Sequence, residues 1–417
     1  MDQSRPAILK DILEQHFEEF AFLWGQRRAA LRSPGFRQRE LLLLEERLDA
    51  HLEGLLIAGD TLPEVVRPGL DGDDGDDAFA AAFALLRSHL PGATEVVWSA
   101  FESASAPRAL GLADAFAFGP ADPLLPRLES AVASAEPALS VAAATALALR
   151  RRLRPDPRAR ERWLGSGEPA IRRVAWRVAG LLGAAETRSF WERGLSDPDE
   201  NVRVEARRAA LWCRQSWILE GARTALARGR EVDADDVLLV AITGDANDLP
   251  GLLSYVRAAG NGPARFHPPG AFGHPAGVEP LLKAMAGLDL LASAYAGQAF
   301  SKITGEDIDS GRRTVVPPAD GGTPDEFETE FLDEMPLPDA QKAHAAWEKR
   351  RPELEKGTRR CRGYDLTGFP SPETLDALDR ESRWEACLRG TLTSTWKGHP
   401  ADLEVFPQQP AVRSGSG

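Results

Sequence analysis

Cysteine, methionine and tyrosine are scarce in this chain of 417 residues, at three each. Cys213, Cys361 and Cys387 form no Cys-x-x-Cys spacing and are odd in number, which fits a reducing, cytoplasmic setting. No apolar run approaches the roughly 18 residues of a membrane span, and Met1 to Lys10 lacks the hydrophobic core of a secretion signal. A net charge of −13 disfavours a general nucleic-acid binder. The catalytic signatures GxSxG, HExxH, GxxxxGK[ST] and GxGxxG after a strand are all missing, so the expectation is a protein that is not an enzyme and uses no cofactor. No metal is expected either. The acidic turn Asp71 to Asp77 fails the calcium-loop template, with Gly75 at position 5 and Ala82 at position 12, and reads as a solvated turn in which Asp77 caps the next helix. His267 and His274 have no third ligand nearby for zinc.

What is present is a repeat. Ile242-Thr243-Gly244 and Ile303-Thr304-Gly305 close apolar runs 61 residues apart, and Gly183 closes another 61 residues upstream. Glycine just past an apolar helical run is the usual left-handed stop, because it has no Cβ to clash there. An offset of 31, about half that interval, superposes Ile171 on Val202, Arg172 on Arg203, Ala175 on Ala206 and Ala179 on Ala210. An offset of 32 puts Pro137 on Pro169 and Ala143 on Ala175. Proline in a first turn loses no hydrogen bond, and alanines four apart let a neighbouring helix approach closely. Shorter apolar stretches lie between these segments, so each unit reads as a helix pair in which neither helix buries its apolar face alone. The stretch from Gly260 to Gly273 is expected to be a short, distorted repeat or a loop, since Pro263, Pro268 and Pro269 break long helices.

The pattern Asp197-Pro198-x-x-x-Val202-Arg203-x-Glu205-Ala206-x-x-Ala209-Ala210 resembles the second helix of a HEAT repeat with its turn. The expected fold is all-α: a HEAT-like α-solenoid of helix pairs over 101–308, preceded by an N-terminal helical hairpin over 1–60 and an acidic turn with a connecting helix over 61–100. A partly irregular helical region follows over 309–407, with helices at Asp339 to Arg350 and Pro372 to Leu392, and a disordered tail over 408–417. The layout resembles an uncharacterised bacterial HEAT-repeat family whose genes often accompany type VI secretion clusters. The resemblance rests on Phe20-Ala21-Phe22-Leu23-Trp24, on Glu46 to Leu55, on Ala296 to Gly305, and on Leu337-Pro338-Asp339 followed by Ala345-Ala346-Trp347. It implies no biochemical activity; gene association alone links it to secretion.

Basic residues outnumber acidic ones between Arg150 and Arg214, against the trend of the chain. If α-helix 171–182 buries Ile171, Val174, Ala175 and Val178, then Arg173, Trp176 and Arg177 point elsewhere, and the 31-residue offset places Arg207 and Arg208 beside Trp176 and Arg177. Second helices of HEAT-like pairs line the concave side, so this ladder is a candidate grip on an acidic partner or a phosphate backbone. The other reading has the arginines covering apolar surface with their stems and pairing with nearby carboxylates. Arg172 and Arg203 fit that second reading best, bonded to the inter-helix turn at Asp197. Trp163, Trp176, Trp191, Trp212 and Trp217 read as packing between repeats. The expected function is a protein-binding scaffold or adaptor, with a secretion effector or spike component as partner and no membrane or nucleic acid involved. The alternatives are a HEAT-like DNA-repair protein of the alkylpurine glycosylase type and a toxin-neutralising immunity protein.

Overall fold

A computed structural model describes residues 5–405 apart from 32, 34, 184–185, 229–231 and 318–331, the side chains of 5–9 also excepted. The described residues are mostly α-helical and divide into two compact units, one of residues 5–215 with 398–405 and one of 216–397. This division falls inside the span 101–308, which the sequence pattern presents as one array. The tail 408–417 lies outside the described residues.

In the first unit the hairpin is α1 (Arg5–Ala30) and α2 (Gln38–Leu56). Then come α3 (Leu62–Asp71), α4 (Gly75–Ser88), α5 (Ala93–Glu102), α6 (Ala106–Phe118), α7 (Leu125–Ala131) and α8 (Pro137–Leu149). The series ends with α9 (Pro157–Leu164), α10 (Pro169–Leu182), α11 (Arg188–Leu195) and α12 (Glu200–Trp212). Each odd-numbered helix from α3 packs on its successor, and α4, α6, α8, α10 and α12 pack one on the next. Pairing therefore begins at α3 and α4, within the stretch 61–100 expected from the sequence to be an acidic turn and a connecting helix. The hairpin packs on α4, where Trp24 stacks on Phe79 with ring centroids 3.7 Å apart. Asp74, not Asp77, caps α4, accepting from the amides of Asp76 and Asp77.

The repeat alignment marks positions that are buried in successive helices. Ala143, Ala175 and Ala206 are fully buried, and Gly111 occupies the corresponding place in α6. A Cβ on Gly111 would stand 1.9 Å from the Gly75 carbonyl oxygen, so only glycine permits that approach. The turns repeat as well. Arg172 Nη1 donates to the carbonyls of Ser166 and Gly167 at 2.9 and 3.2 Å, and Arg203 Nη1 to those of Asp197 and Pro198 at 2.9 and 3.0 Å. Arg172 also forks onto the Asp197 carboxylate at 2.8 and 2.9 Å, which holds that carboxyl below the usual range. These two arginines join turn to helix, as their pattern predicts.

The second unit holds α13 (Trp217–Arg228), α14 (Ala234–Thr243), α15 (Leu249–Arg257), α16 (His267–Phe272), α17 (Val278–Met285) and α18 (Leu290–Thr304). Here α14, α16 and α18 pack in turn. The proline-rich stretch is indeed degraded: 3-10 turns at Ala259–Asn261 and Pro263–Phe266 lead into the six-residue α16. Beyond lie β1 (Asp309–Val315), β2 (Glu334–Pro338), α19 (Ala340–Leu354), β3 (Arg360–Cys361), β4 (Tyr364–Asp365), α20 (Pro372–Ala377) and α21 (Arg380–Leu392). β1 pairs antiparallel with β2, and β3 with β4. These strands were not foreseen, because pieces of two to seven residues carry too little alternation to register.

The glycine stops need one correction. Gly183 and Gly305 are left-handed, with φ of 61° and 77°, but Gly244 is extended at φ −70°, ψ 178°. The Gly244 carbonyl accepts from Arg359 Nη2 at 2.9 Å, and Arg359 Nη1 reaches the carbonyls of Ala241, Ile242 and Ala271 at 3.0, 3.2 and 3.3 Å. The same segment caps two more helices: the Arg360 amide donates to the Gly273 carbonyl at 2.7 Å, and the Arg362 amide to that of Lys302 at 2.6 Å. A Cβ would meet the Arg360 oxygen at 2.1 Å on Gly273 and the Arg362 oxygen at 2.4 Å on Gly305. Residues 359–363 thus satisfy carbonyls at the ends of α14, α16 and α18 that would otherwise be orphaned.

Candidate functional site

Helical spacing brings part of the arginine ladder to one cavity in the first unit. Arg173 and Arg177 stand four apart on α10, while Val204, Glu205 and Arg208 share a face of α12. All five line a cavity of about 360 Å³, with Leu110, Asp114 and Phe118 of α6. The wall also includes Thr145 of α8, Trp24, Arg27 and Arg28 of α1, and Glu404. Its charged residues are five arginines and three carboxylates, a local positive excess in a chain of net charge −13.

Two of the five predicted residues lie elsewhere. Trp176 is buried, with ring centroids 4.9 Å from Phe190 and 5.7 Å from Trp191 of α11. A Cβ on Gly194 would stand 2.5 Å from the Trp176 ring, so that glycine makes the space into which the indole turns. Arg207 is half-buried and does not line the cavity.

The cavity arginines differ in how firmly they are held. Arg173 is exposed, and Arg208 reaches Glu205 only at 4.0 Å. Arg177 Nη2 donates to the Glu404 carboxylate at 2.7 Å; that carboxylate chiefly, outweighing burial, raises the Arg177 pKa. Arg27 is 1% exposed, donates through Nε to Glu45 at 2.8 Å, and lies 5.4 Å over the Trp24 ring. Arg28 pairs with Asp76 at 2.5 Å.

Burial pushes the Asp114 carboxyl up to about 6, against the pull of Arg177 and Arg28. A carboxyl whose pKa is raised on folding contributes stability that is complete below its unfolded value near 4 and is lost as pH rises through about 6. Asp114→Asn is therefore expected to stabilise the protein by about 1–2 kcal/mol at pH 7.5 and by nothing below pH 4, allowing for solvent screening in the cavity. Thermal unfolding of both proteins across that range is the check. Parallel profiles would show that Asp114 does not titrate as its burial demands.

The second unit contains a buried polar cluster. Lys302, 5% exposed, donates through Nζ to Glu381 and Glu385 at 2.8 Å each. Burial opposes the ammonium, but Glu385 and Glu381 outweigh it and the Lys302 pKa is raised. Burial lifts Glu385 to about 7 even with Lys302 beside it. His267, lowered by burial, and Cys361, raised by burial to about 11, both interact electrostatically with Lys302. His274 accepts from the Ala276 amide at 3.1 Å and caps a turn. Among the described residues no three His, Cys, Asp or Glu side chains gather as a metal-binding set, and no helix is long and apolar enough to cross a membrane.

The chain matches no protein-family model, and no curated protein is significantly similar to it.

Proposed function

We propose that this protein is a non-enzymatic binding scaffold of HEAT-like helix pairs, whose second helices present an arginine-lined face to an acidic surface of another protein. The observation that carries this reading is the convergence of Arg173, Arg177 and Arg208, from successive second helices, with Arg27 and Arg28 on one cavity. Guanidinium groups so placed favour carboxylates and select by charge. Asp114, Glu205 and Glu404 in the same wall weigh against a phosphate backbone as the ligand. The resemblance to secretion-associated HEAT proteins supports a partner from a type VI system, such as an effector, a spike component or an adaptor.

Arg173 and Arg208 are the residues to test, because both are exposed and neither has the buried contacts of Arg27. The protein carrying Arg173→Glu and Arg208→Glu is expected to fold normally and to recover its partner at least about tenfold less well at physiological salt. Affinity purification from the native host with quantitative mass spectrometry reads this. Recovery of the same partners in the same amounts would remove the arginine face from the function.

A further inference from the structure

Glu404 reaches the cavity from 227 residues beyond its partner Arg177, as part of an anchored segment. Pro400–Leu403 form a 3-10 turn whose cap is closed by the His399 amide donating to the Asp402 carboxylate at 2.6 Å. The segment lies against α10. His399 Nε2 bonds the Leu181 carbonyl, Asp402 pairs with Arg151, and Leu403 is 2% exposed. Glu404 then places its carboxylate on Arg177, and the main-chain carbonyls of Glu404 and Val405 accept from Arg27 Nη2 at 3.2 and 2.9 Å.

On the receptor side, Arg27 is held by groups outside the segment. Arg27 is fixed by Glu45 on one edge and by the Trp24 ring. Its Nη2, itself 2.8 Å from the Glu45 carboxylate, also donates to main-chain oxygens, which any peptide supplies. Arg177 meets a carboxylate, which any glutamate supplies. A buried apolar side chain precedes that glutamate. None of these features requires the ligand to belong to the same chain.

We infer that the cavity is a receptor for an acidic turn of a partner protein, an apolar residue followed by glutamate, and that residues 398–405 are its built-in competitor. Glu404 stands where the partner's carboxylate goes, and the partner binds by displacing it. This rests on the scaffold reading and names its ligand and its regulation. A tethered segment acts at an effective concentration on the order of millimolar, so an intrinsic Kd on the order of 10 μM is masked roughly 100-fold.

The probe is a fluorescein-labelled synthetic copy of residues 398–405, followed by anisotropy with the full chain. A full chain carrying Leu403→Asp and Glu404→Lys, which evict its own segment, is expected to bind the probe at least about tenfold more tightly than the unaltered chain. Adding Arg177→Glu, or changing glutamate to glutamine in the probe, is expected to erase the gain. A folded double variant that binds no more tightly than the unaltered chain overturns the inference, as does a gain indifferent to Arg177. Should the double variant not fold, the unaltered chain is given a millimolar excess of a heavy-isotope copy of the peptide, and amide exchange is followed in its own residues 401–405. Faster exchange there supports displacement; unchanged exchange overturns it. Arg173 and Arg208 are altered in neither arm, so loss of the peptide effect with partner recovery still sensitive to those two arginines leaves the scaffold standing without its competitor.

Discussion

Replacing Lys302 by methionine is expected to destabilise the second unit by about 3–5 kcal/mol at pH 8, enough to unfold it under mild denaturant. The ammonium is the cation for two carboxylates at 2.8 Å, one of which, Glu385, burial has already lifted to about 7. Removing it leaves both acids among buried groups without the charge that offset their desolvation. Both must then take up protons or bear the full cost of ionisation. Glu385 contributes stability that is complete below its unfolded pKa near 4.5 and is lost as pH rises through about 7, and without Lys302 that loss steepens. The deficit of the variant is therefore larger at pH 8 than at pH 5. Adding Glu381→Gln and Glu385→Leu is expected to restore most of the stability, since an apolar replacement of a whole buried ion cluster is often neutral or better. Urea unfolding at the two pH values measures all of this. A deficit under about 1 kcal/mol at pH 8 would mean that water reaches the cluster and screens it.

How much of this was legible in the chain depends on the range of the cause. The helix pairs and the bonds of Arg172 and Arg203 to their preceding turns were readable because each is written within about 31 residues and copied in the next such stretch. Arg173, Arg177 and Arg208 were placed on a common face by spacing alone, and they share one. Trp176 was not separable from them, since helical periodicity puts it beside Arg173 and only Gly194, on another helix, makes room for its ring. Gly244 was misread for a similar reason: its extended backbone accompanies a bond to Arg359, 115 residues away. Helix ends without glycine, at His89, Arg151, Arg214 and Ser394, adopt positive φ of 55°, 56°, 61° and 62° and carry no such signal. Arg27, Asp114 and Glu404 come to the cavity from outside the ladder's repeats, and no local pattern announces them.

Arg27→Ala is expected to have the other large effect, and its two consequences separate. Arg27 holds Glu45, 4% exposed, through Nε and Nη2, and its Nη2 also donates to the carbonyls of residues 404 and 405. Taking away the guanidinium removes the cation from a buried carboxylate, at a cost of about 3–5 kcal/mol to the first unit. Lysine is a poor substitute, because a single ammonium point charge does not reproduce a planar fork that holds a carboxylate through two nitrogens while also donating to main-chain oxygens. Pairing Arg27→Leu with Glu45→Leu is expected to recover much of the stability, since both charges leave together. It does not restore the donors to residues 404 and 405. The double variant should therefore be nearly as resistant to urea as the unaltered protein, yet exchange the amides of residues 401–405 faster and be cut sooner by trypsin after the exposed Lys397. Urea unfolding reads the first consequence; hydrogen exchange and limited trypsin digestion read the second. Full recovery of both would assign Arg27 to the hairpin alone. Recovery of stability without recovery of protection would show that one buried guanidinium serves both the fold of the first unit and the docking of its acidic segment.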